Sequence, residues 1–274
     1  MKTDTSTADV RAHFGFTGLP FTREITVEEL WDSPAFVEPL RDLEATLRER
    51  MSAVLIAPAG AGKTALLRAL IARLPEARYR VHYVKVTSLS KRDMCREIAQ
   101  AVDLPASGSY PMLVRRLEER FDKTANEDGL RPVLLVDEAH DLRPEVLAIL
   151  RILTNYDMDS RLVLSVLLAG QPLLLKLLRR DDLEAVSQRI AQVSTLRLLS
   201  RTESESYMQH RVNVAGARNL PFDGPAVEAV YEVSRGNLRL IDHLCFKALE
   251  LAAQSGVPVV NASLVTAARK KLLP

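Results

Sequence analysis

The sequence has few cysteines, little net charge and no long uninterrupted apolar run. Its two cysteines among 274 residues, Cys95 and Cys245, have none of the spacings of a metal site, and both lie within helical patterns. We therefore expect buried thiols in a reducing cytoplasm. A formal net charge of +2 excludes a strongly basic chain, so any nucleic-acid surface must be a local patch.

Segments that would direct the chain to a membrane are also lacking. The first ten residues, MKTDTSTADV, contain no apolar h-region, so we expect no secretory signal peptide. The most apolar stretch, residues 162–178, is interrupted by Gly170, Gln171, Pro172 and Lys176, whereas a membrane span needs about 20 predominantly apolar residues. We expect a cytoplasmic protein that makes no membrane contact.

Short apolar runs alternate with helical patterns between residues 51 and 200, and no internal repeat is present. The strand-like runs are AVLIA (53–57), YRVHYVKV (79–86), PVLLVD (132–137), LVLSVLLAG (162–170) and VSTLRLLS (193–200). Strands that alternate with helices predict a parallel sheet with helices on both faces, which is an α/β fold.

The two ends of the chain differ from this central part. Residues 1–12 are polar and predicted to be loose, and residues 33–51 predict a helix. After a capping box formed by Ser200 and Glu203, the sequence predicts four helices and no strand. We predict an N-terminal extension over 1–50, an α/β core over 51–200 and a small helical domain over 201–274.

A phosphate-binding loop is predicted where the first strand meets a helix. Gly60 and Gly62 allow backbone N–H groups to approach phosphates closely, Lys63 is placed for the β- and γ-phosphates, and the Thr64 hydroxyl is placed for Mg²⁺. The full pattern begins with glycine, but this chain has Ala57 there. The other loop residues expected to contact the nucleotide are Pro58, Ala59 and Ala61.

A second motif, VLLVDEAHDL, ends the strand of residues 132–137. By itself it is equally typical of a buried strand that runs into an acidic turn. Combined with the loop, it predicts that Asp137 holds Mg²⁺ through its water shell and that Glu138 orients and deprotonates the attacking water. The two motifs together predict a site that hydrolyses a nucleoside triphosphate.

Three polar residues are candidates for the rest of this site. Gln171 follows a neighbouring strand and is placed to reach the γ-phosphate or the water, although it is also typical of a helix cap. Arg189 is a candidate arginine finger for a neighbouring subunit, or else a solvated helix residue. Arg239 begins a helix of the small domain, from which it would sense the nucleotide.

His140 completes the letters DEAH, which also occur in RNA helicases. Such a motor needs two large α/β domains, and only about 75 residues follow the core, so we set that interpretation aside. His140 is then either a relay between the site and a neighbour or an ordinary polar residue at a helix start.

These motifs resemble those of the AAA+ ATPases, in particular the ExeA-like and TniB/TnsC/MuB-like group. The segments that carry the resemblance are FGFTGLPFTREI (14–25), APAGAGKT (57–64, Walker A), LLVDEAH (134–140, Walker B), LLAGQPLL (167–174, sensor 1), QRI (188–190, finger) and GNLRLIDHLC (236–245, sensor 2). The resemblance implies that Pro20 and Phe21 lie beside the base. The departures are Ala57 and the pair Asn237-Leu238, where the group usually has shorter side chains or proline.

The resemblance also implies a Rossmann-like sheet with a helical lid, and nucleotide bound between adjacent subunits of a ring or helical filament. Two functions then remain. One is a regulator that assembles on double-stranded DNA and recruits or activates a transposase, or acts through a transposition adaptor. The other is an ExeA-like secretion or envelope-assembly ATPase that acts on protein partners without DNA. A loader or signalling ATPase without nucleic acid is a third interpretation.

Candidate DNA contacts are the basic residues at one helix start. Lys91 and Arg92 are predicted to face the pore of such a ring, with phosphate contacts added by the hydroxyls of Thr87, Ser88 and Ser90. A solvated helix start explains them equally well. No base-reading motif appears, so DNA binding should be tolerant of sequence. The C-terminal segment TAARKKLLP is an alternative contact for DNA or a partner.

Overall fold

A computed structural model describes residues 5–86, 89–158 and 160–272. The chain folds into two compact units. The sheet unit comprises Phe36–Ala59 and Lys63–Leu196, and the helical unit comprises the residues up to Ala35, Gly60–Gly62 and the residues from Arg197 onward. The three segments expected from the sequence, 1–50, 51–200 and 201–274, stay a prediction of domain organisation.

The sheet unit contains a five-stranded sheet in which every pairing is parallel, in the order β2-β3-β4-β1-β5. The strands are β1 (Ser52–Ile56), β2 (Tyr79–Lys85), β3 (Arg131–Asp137), β4 (Ser165–Gly170) and β5 (Ile190–Thr195). The central strand β4 is buried throughout, as expected when helices cover both faces of a parallel sheet. The predicted α/β class with a parallel sheet is confirmed.

The α-helices in the described part of the chain are α1 (Thr5–Phe14), α2 (Pro34–Arg48), α3 (Lys63–Arg73), α4 (Lys91–Ala101), α5 (Tyr110–Asn126), α6 (Pro144–Leu153), α7 (Leu173–Leu178), α8 (Glu184–Ser187), α9 (Arg201–Val214), α10 (Gly224–Ser234), α11 (Leu238–Gln254) and α12 (Ala262–Leu272). Two short 3₁₀ turns, Ala139–Asp141 and Asp181–Leu183, connect elements of the sheet unit. None of the helices within the described residues combines the length and apolar character that a membrane span requires.

Two strands have different limits from those predicted. The register of β5 is set by β1, because Ser52 pairs with Ile190 and Ile56 pairs with Thr195. The Leu196 N–H then bonds the Ile56 carbonyl, and Ser200 caps α9, so the strand predicted over 193–200 is shifted towards the N terminus. The strand β4 is shorter than the run of residues 162–170, since its described pairing with β3 begins at Ser165.

The helical unit has its own apolar core, to which α1 and α9–α12 contribute. The predicted capping box is confirmed, because the Ser200 hydroxyl accepts from the Glu203 N–H while the Glu203 carboxylate accepts from the Ser200 N–H. The polar segment 1–12 was predicted to be loose, but its described part, from Thr5 onward, belongs to α1. Its Val10 is fully buried, and the His13 ring lies 2.8 Å from the Val257 carbonyl oxygen.

Both cysteines are free and buried inside helices, as predicted from their positions. Burial raises the pKa of Cys95 to about 12 and raises the pKa of Cys245 well above its ordinary value. A thiol that stays protonated is a poor nucleophile and a poor metal ligand. Both side chains therefore act as small apolar groups in their cores.

Candidate active site

The loop between β1 and α3 has the backbone conformation that its glycines permit. Gly60 and Gly62 have φ values of +78° and +96°, in the left-handed region that favours glycine. Gly60 is also crowded, because a Cβ built on it would lie 2.3 Å from the Asn237 side-chain oxygen. The helix α3 starts at Lys63, so the free N–H groups of its first turn lie where the loop ends.

Ala57, which replaces the first glycine of the loop pattern, lies at the end of the sheet. It is fully buried, and its N–H bonds the Gly170 carbonyl at 2.9 Å, which extends the ladder between β1 and β4 by one residue. Its φ is not positive. Since nothing in this conformation requires glycine, the departure leaves the loop itself unchanged.

The central feature of the site is a buried cation between two carboxylates. The Lys63 Nζ contacts Asp137 Oδ1 and lies 2.8 Å from Glu138 Oε1. Lys63 and Asp137 are 8% and 2% exposed, so their charges compensate each other where water is largely excluded. The Glu138 N–H also donates to Asp137 Oδ1, at 2.8 Å. Lys63, Asp137 and Glu138 are thus brought together as the two motifs predicted.

A tyrosine that the motifs did not identify completes this cluster. The Tyr83 hydroxyl donates to Asp137 Oδ2 at 3.0 Å. Burial and the neighbouring Asp137 carboxylate raise the pKa of Tyr83 well above its ordinary value, so the phenol remains a donor. The strand register would have identified Tyr83 as a neighbour of Asp137. Lys85 pairs with Asp137, and Tyr83 lies two residues earlier on the same face of β2.

Glu138 has an unusual backbone conformation. Its φ of +59° lies in the left-handed region, which costs a non-glycine residue about 1 kcal/mol or more. The chain turns here from β3 into the 3₁₀ turn Ala139–Asp141. Such a conformation persists where the surrounding structure fixes it, and this turn directs the Glu138 carboxylate to Lys63.

His140 connects this turn to the end of β4. Its side chain is 8% exposed, and its Nδ1 lies 3.5 Å from Glu138 Oε2 and 3.4 Å from the Gln171 backbone nitrogen. Gly170 permits the approach, since a Cβ there would lie 3.2 Å from the His140 nitrogen. The structure therefore brings the Gln171 backbone to the site, and His140 is a buried contact between two turns of the sheet unit.

The oxygen donors at this edge of the sheet fit Mg²⁺. Thr64 lies in the first turn of α3 with an exposed side chain, and Asp137 ends β3. Magnesium is usually held by one or two protein oxygens together with phosphates and water, not by a closed cage of side chains. Among the described residues, no group of three or more His, Cys, Asp or Glu is placed to hold a metal ion.

Arg189 lies at the opposite edge of the same sheet. It directly precedes Ile190, which pairs with Ser52 at the start of β1, whereas the loop that holds Lys63 follows the end of β1. Five residues of strand separate the two edges by roughly 16 Å. The Arg189 guanidinium donates to the Ala185 carbonyl at 2.9 Å. The structure therefore does not bring Arg189 to the Lys63 cluster of its own sheet unit.

The residues predicted from the helical domain and its N-terminal segment lie in the helical unit. Arg239 is exposed in the first turn of α11, and its N–H bonds the Gly60 carbonyl at 3.2 Å. Pro20 and Phe21 are buried. The Phe21 ring packs edge-on against Phe222.

The predicted DNA contacts lie at the start of α4, where Lys91 and Arg92 are both exposed. The Arg92 guanidinium donates twice to the Gly108 carbonyl, at 3.1 and 2.9 Å, and the Ser90 hydroxyl caps the helix by accepting from the Asp93 N–H. Thr87 and Ser88 lie outside the described residues. The C-terminal basic residues Arg269, Lys270 and Lys271 occupy the last turn of α12.

The parallel sheet with its helical unit is the fold of the AAA+ P-loop NTPases. Cdc6p from Pyrobaculum aerophilum superposes with a TM-score of 0.73 at 18% identity, over 92% of this chain and 70% of that chain. The RuvB Holliday junction branch migration motor of Thermotoga maritima gives 0.60 at 19% identity, over 92% and 73%. The Aeropyrum pernix ORC1 protein, solved in complex with DNA, gives 0.68 at 20% identity, over 89% and 67%.

Sequence comparison agrees with this class. A family model described as an AAA domain matches residues 46–178. General secretion pathway protein A of Aeromonas hydrophila is 34% identical over 245 residues, which are 89% of this chain and 45% of that protein. The chain therefore spans less than half the length of this relative. The comparisons therefore support the coarser part of the predicted resemblance, an AAA domain with a P-loop ATPase fold.

Proposed function

We propose that this chain binds ATP, hydrolyses it to ADP and phosphate, and completes its active site only between two copies. One observation carries the proposal: Lys63, Asp137 and Glu138 meet at one edge of the sheet, while Arg189 lies at the other. An arginine finger at that distance acts on the nucleotide of a neighbouring copy. On this basis we propose self-assembly into a ring or a helical filament.

Each residue of the Lys63 cluster has a distinct role in this proposal. Lys63 exchanges its two carboxylate partners for the β- and γ-phosphates, which the backbone N–H groups of the loop and of the first turn of α3 also bind. Glu138, released from Lys63, accepts a proton from the attacking water. Thr64 and Asp137 would hold Mg²⁺, which supplies positive charge to the phosphates when bound.

The remaining residues of the site are assigned supporting roles. Gln171 contacts the γ-phosphate or orients the water from the end of β4. Arg239 senses the phosphates from α11, and Pro20 and Phe21 lie beside the base. The role of Gln171 is supported by its position next to His140. The role of Arg239 is supported by the bond between its N–H and the loop carbonyl of Gly60.

Mixing two variants tests whether the site is shared. Glu138→Gln keeps the finger but lacks the base, and Arg189→Ala keeps the base but lacks the finger. We expect each alone to hydrolyse ATP about a thousandfold more slowly than wild type. Mixed subunits should recover activity far above either variant, because Glu138→Gln subunits supply Arg189 to their neighbours. Arg115→Ala, an exposed arginine of α5, is the matched control and should remain active.

Two results would contradict the shared site. If Arg189→Ala hydrolyses ATP at the wild-type rate, Arg189 is a solvated arginine and has no catalytic role. If the mixture stays as inactive as its components, Arg189 does not act on a neighbour. Equal activity of Glu138→Gln and wild type would show that Glu138 is not the base.

For the partner of the assembled ATPase we propose double-stranded DNA, bound without sequence preference in the course of regulating a transposase or its adaptor. The support is the similarity of the motifs to the TniB/TnsC/MuB-like group and the exposed Lys91 at the carboxyl edge of the sheet. Arg92 adds a second positive charge beside it. We place this activity in the cytoplasm, where the two free thiols stay reduced.

A second candidate is favoured by one finding of its own. The similarity to General secretion pathway protein A extends over 89% of this chain, which supports an ATPase that acts on protein partners in secretion or envelope assembly, without DNA. This chain spans 45% of that relative, so the similarity concerns less than half of that protein.

Electron microscopy with a slowly hydrolysed ATP analogue separates the two candidates. Rings or filaments that form or lengthen only with random-sequence duplex DNA would support the DNA-linked regulator. The double variant Lys91→Ala/Arg92→Ala should then lose the response to DNA, whereas Arg115→Ala should keep it. Assemblies that ignore DNA would favour the secretion-type ATPase.

A further inference from the structure

Tyr83 is an aromatic residue of β2 whose position burial alone does not explain. It is 43% exposed, among the exposed large hydrophobic residues of the described chain, yet its hydroxyl donates to Asp137, which is 2% exposed. A phenol that only covered apolar surface would turn its hydroxyl to water. Here the hydroxyl is bonded to the carboxylate that ends β3.

The hydrogen bonds of Asp137 divide between its two oxygens. Oδ1 accepts from the Lys63 Nζ and from the Glu138 N–H, and Oδ2 accepts from the Tyr83 hydroxyl. These donors differ in how firmly they are held. The Glu138 N–H belongs to the backbone, and Tyr83 lies on β2, which is paired along its length with β3. The Lys63 ammonium group, in contrast, ends a flexible side chain.

The departure of Lys63 leaves the other two donors in place. In the proposed function Lys63 moves to the phosphates, so Oδ1 keeps only the backbone bond while Oδ2 keeps Tyr83. One donor on each oxygen fixes the plane of a carboxylate, whereas a single donor allows it to rotate. Groups that orient a metal-binding carboxylate in this way often change the metal affinity about tenfold or more when they are removed.

We infer that Tyr83 is a positioning residue that holds the Asp137 carboxylate in the orientation in which it binds Mg²⁺. The inference rests on the proposed function, since it concerns the metal of that site. Tyr83 contacts neither the nucleotide nor the reacting water in this role. It acts through Asp137 alone.

The test is Tyr83→Phe, which removes the hydroxyl and keeps the ring. Binding of a fluorescent ATP analogue is measured first in EDTA and then across a Mg²⁺ titration, with hydrolysis measured over the same titration. We expect unchanged affinity in EDTA and an increase of about tenfold in the Mg²⁺ concentration that gives half the effect. At saturating Mg²⁺ the hydrolysis rate should approach that of wild type.

Tyr79→Phe is the matched control because Tyr79 lies on the same strand, at its other end. Its hydroxyl faces Arg131, at 3.4 Å, and not Asp137. Tyr79→Phe should leave the Mg²⁺ dependence unchanged. Thermal unfolding of both variants shows whether either change disturbs the fold.

Each outcome decides the inference. Superimposable Mg²⁺ curves for Tyr83→Phe and wild type would overturn it while leaving the proposed function intact. Equal weakening of binding with and without Mg²⁺ would also overturn it, because a general structural defect produces that pattern. A wild-type chain that does not bind ATP at all would overturn the proposed function and, with it, the metal role of Tyr83.

Discussion

The sheet unit and the helical unit each bury a cation beside carboxylate oxygen, but the two clusters differ in kind. Arg211, 5% exposed, donates to both Asp242 oxygens at 3.1 Å, to the Tyr207 hydroxyl at 2.7 Å and to the Thr22 carbonyl at 2.6 Å. Lys63 instead pairs with one oxygen of Asp137 and one oxygen of Glu138.

The difference follows from the chemistry of the two side chains. A guanidinium presents a rigid fork of donors and remains where all of them are satisfied, whereas an ammonium is a compact charge on a flexible stem. The Arg211 cluster therefore fixes a fold, including the backbone that follows Phe21. In the Lys63 cluster, by contrast, the ammonium group can exchange the carboxylate oxygens of Asp137 and Glu138 for phosphate oxygens. Substitutions of Arg211 and Lys63 test this contrast directly, and substitutions of Gly170 and Glu203 test one further contact in each unit. The size of the effects should decrease in the order Arg211, Lys63, Gly170, Glu203.

Arg211→Met should destabilise the protein most. It leaves the Asp242 carboxylate buried without its cation, which typically costs about 3–5 kcal/mol of unfolding free energy. Denaturant unfolding measures this loss. Adding Asp242→Asn should recover part of it, because the uncompensated charge is then removed. A loss below about 1 kcal/mol for Arg211→Met alone would show that the cluster does not stabilise the fold.

Lys63→Ala should affect ligand binding more than the fold. We expect ATP affinity to fall by about a hundredfold, or about 3 kcal/mol, because the phosphates lose their charged partner. Asp137 keeps the Tyr83 hydroxyl and the Glu138 N–H as donors, and the partly exposed Glu138 can turn to water. The unfolding free energy should therefore fall less than in Arg211→Met. Titration with a fluorescent ATP analogue and denaturant unfolding give the two values. If Lys63→Ala lowered the unfolding free energy more than the free energy of ATP binding, the proposal that Lys63 is an exchangeable cation would be contradicted.

Gly170→Ala tests how tightly the end of β4 packs against the turn that follows β3. The new Cβ would lie 3.0 Å from Leu174 Cδ2 and 3.2 Å from the His140 nitrogen, and the backbone atom cannot move away easily. Overpacking of this kind costs about 2 kcal/mol. We expect slower hydrolysis with nearly unchanged ATP affinity, because the turn carries Glu138 and not Lys63. If Gly170→Ala reduced the hydrolysis rate and the ATP affinity by the same factor, the turn would not act separately from Lys63.

Glu203→Gln should have the smallest effect and a defined pH dependence. The side-chain hydrogen bonds from Arg197 lower the pKa of Glu203 to about 2, against an ordinary value of 4.5, and the bonds from Ser200 act in the same direction. This stabilisation is fully present above about pH 4.5 and is lost as the pH falls towards 2. The pair is partly exposed, so we expect only about 1 kcal/mol at neutral pH.

Unfolding free energies at pH 7 and at low pH provide the check. The difference between Glu203→Gln and wild type should shrink as Glu203 becomes protonated. Glu228→Gln, which removes the partner of Arg201 in a more exposed pair, is the control and should change stability less. A difference that is the same at both pH values would exclude ionisation of Glu203 as the cause.

The sequence was sufficient to predict those features that depend on local patterns. Buried strands, capped helices and the two motifs around Lys63 and Asp137 are each encoded within a few consecutive residues, and they appear where predicted. The end of β5 was misplaced because its limits depend on its pairing with β1. Tyr83 was missed because its role depends on the register between β2 and β3, which no single segment specifies.

The N-terminal helix was missed for a related reason. The segment that forms α1 is polar, with only Val10 and Phe14 as larger apolar residues, so no helical periodicity stands out. Its order comes from packing in the helical unit, where Val10 is fully buried. Long-range contacts, which a local pattern does not contain, decided the conformation of this segment.

The place of Ala57 in the sheet has a consequence for how such chains are recognised. A search that demands glycine at this position would discard this chain, although its backbone there belongs to the β-ladder and its phosphate loop is intact. Alanine also restricts the unfolded chain more than glycine does, which favours folding by about 0.4–1 kcal/mol where the native conformation suits it. At the first position of the motif, this chain therefore needs only a small residue at the end of a strand. Substitution of Ala57 by a bulky residue would test how much space surrounds it.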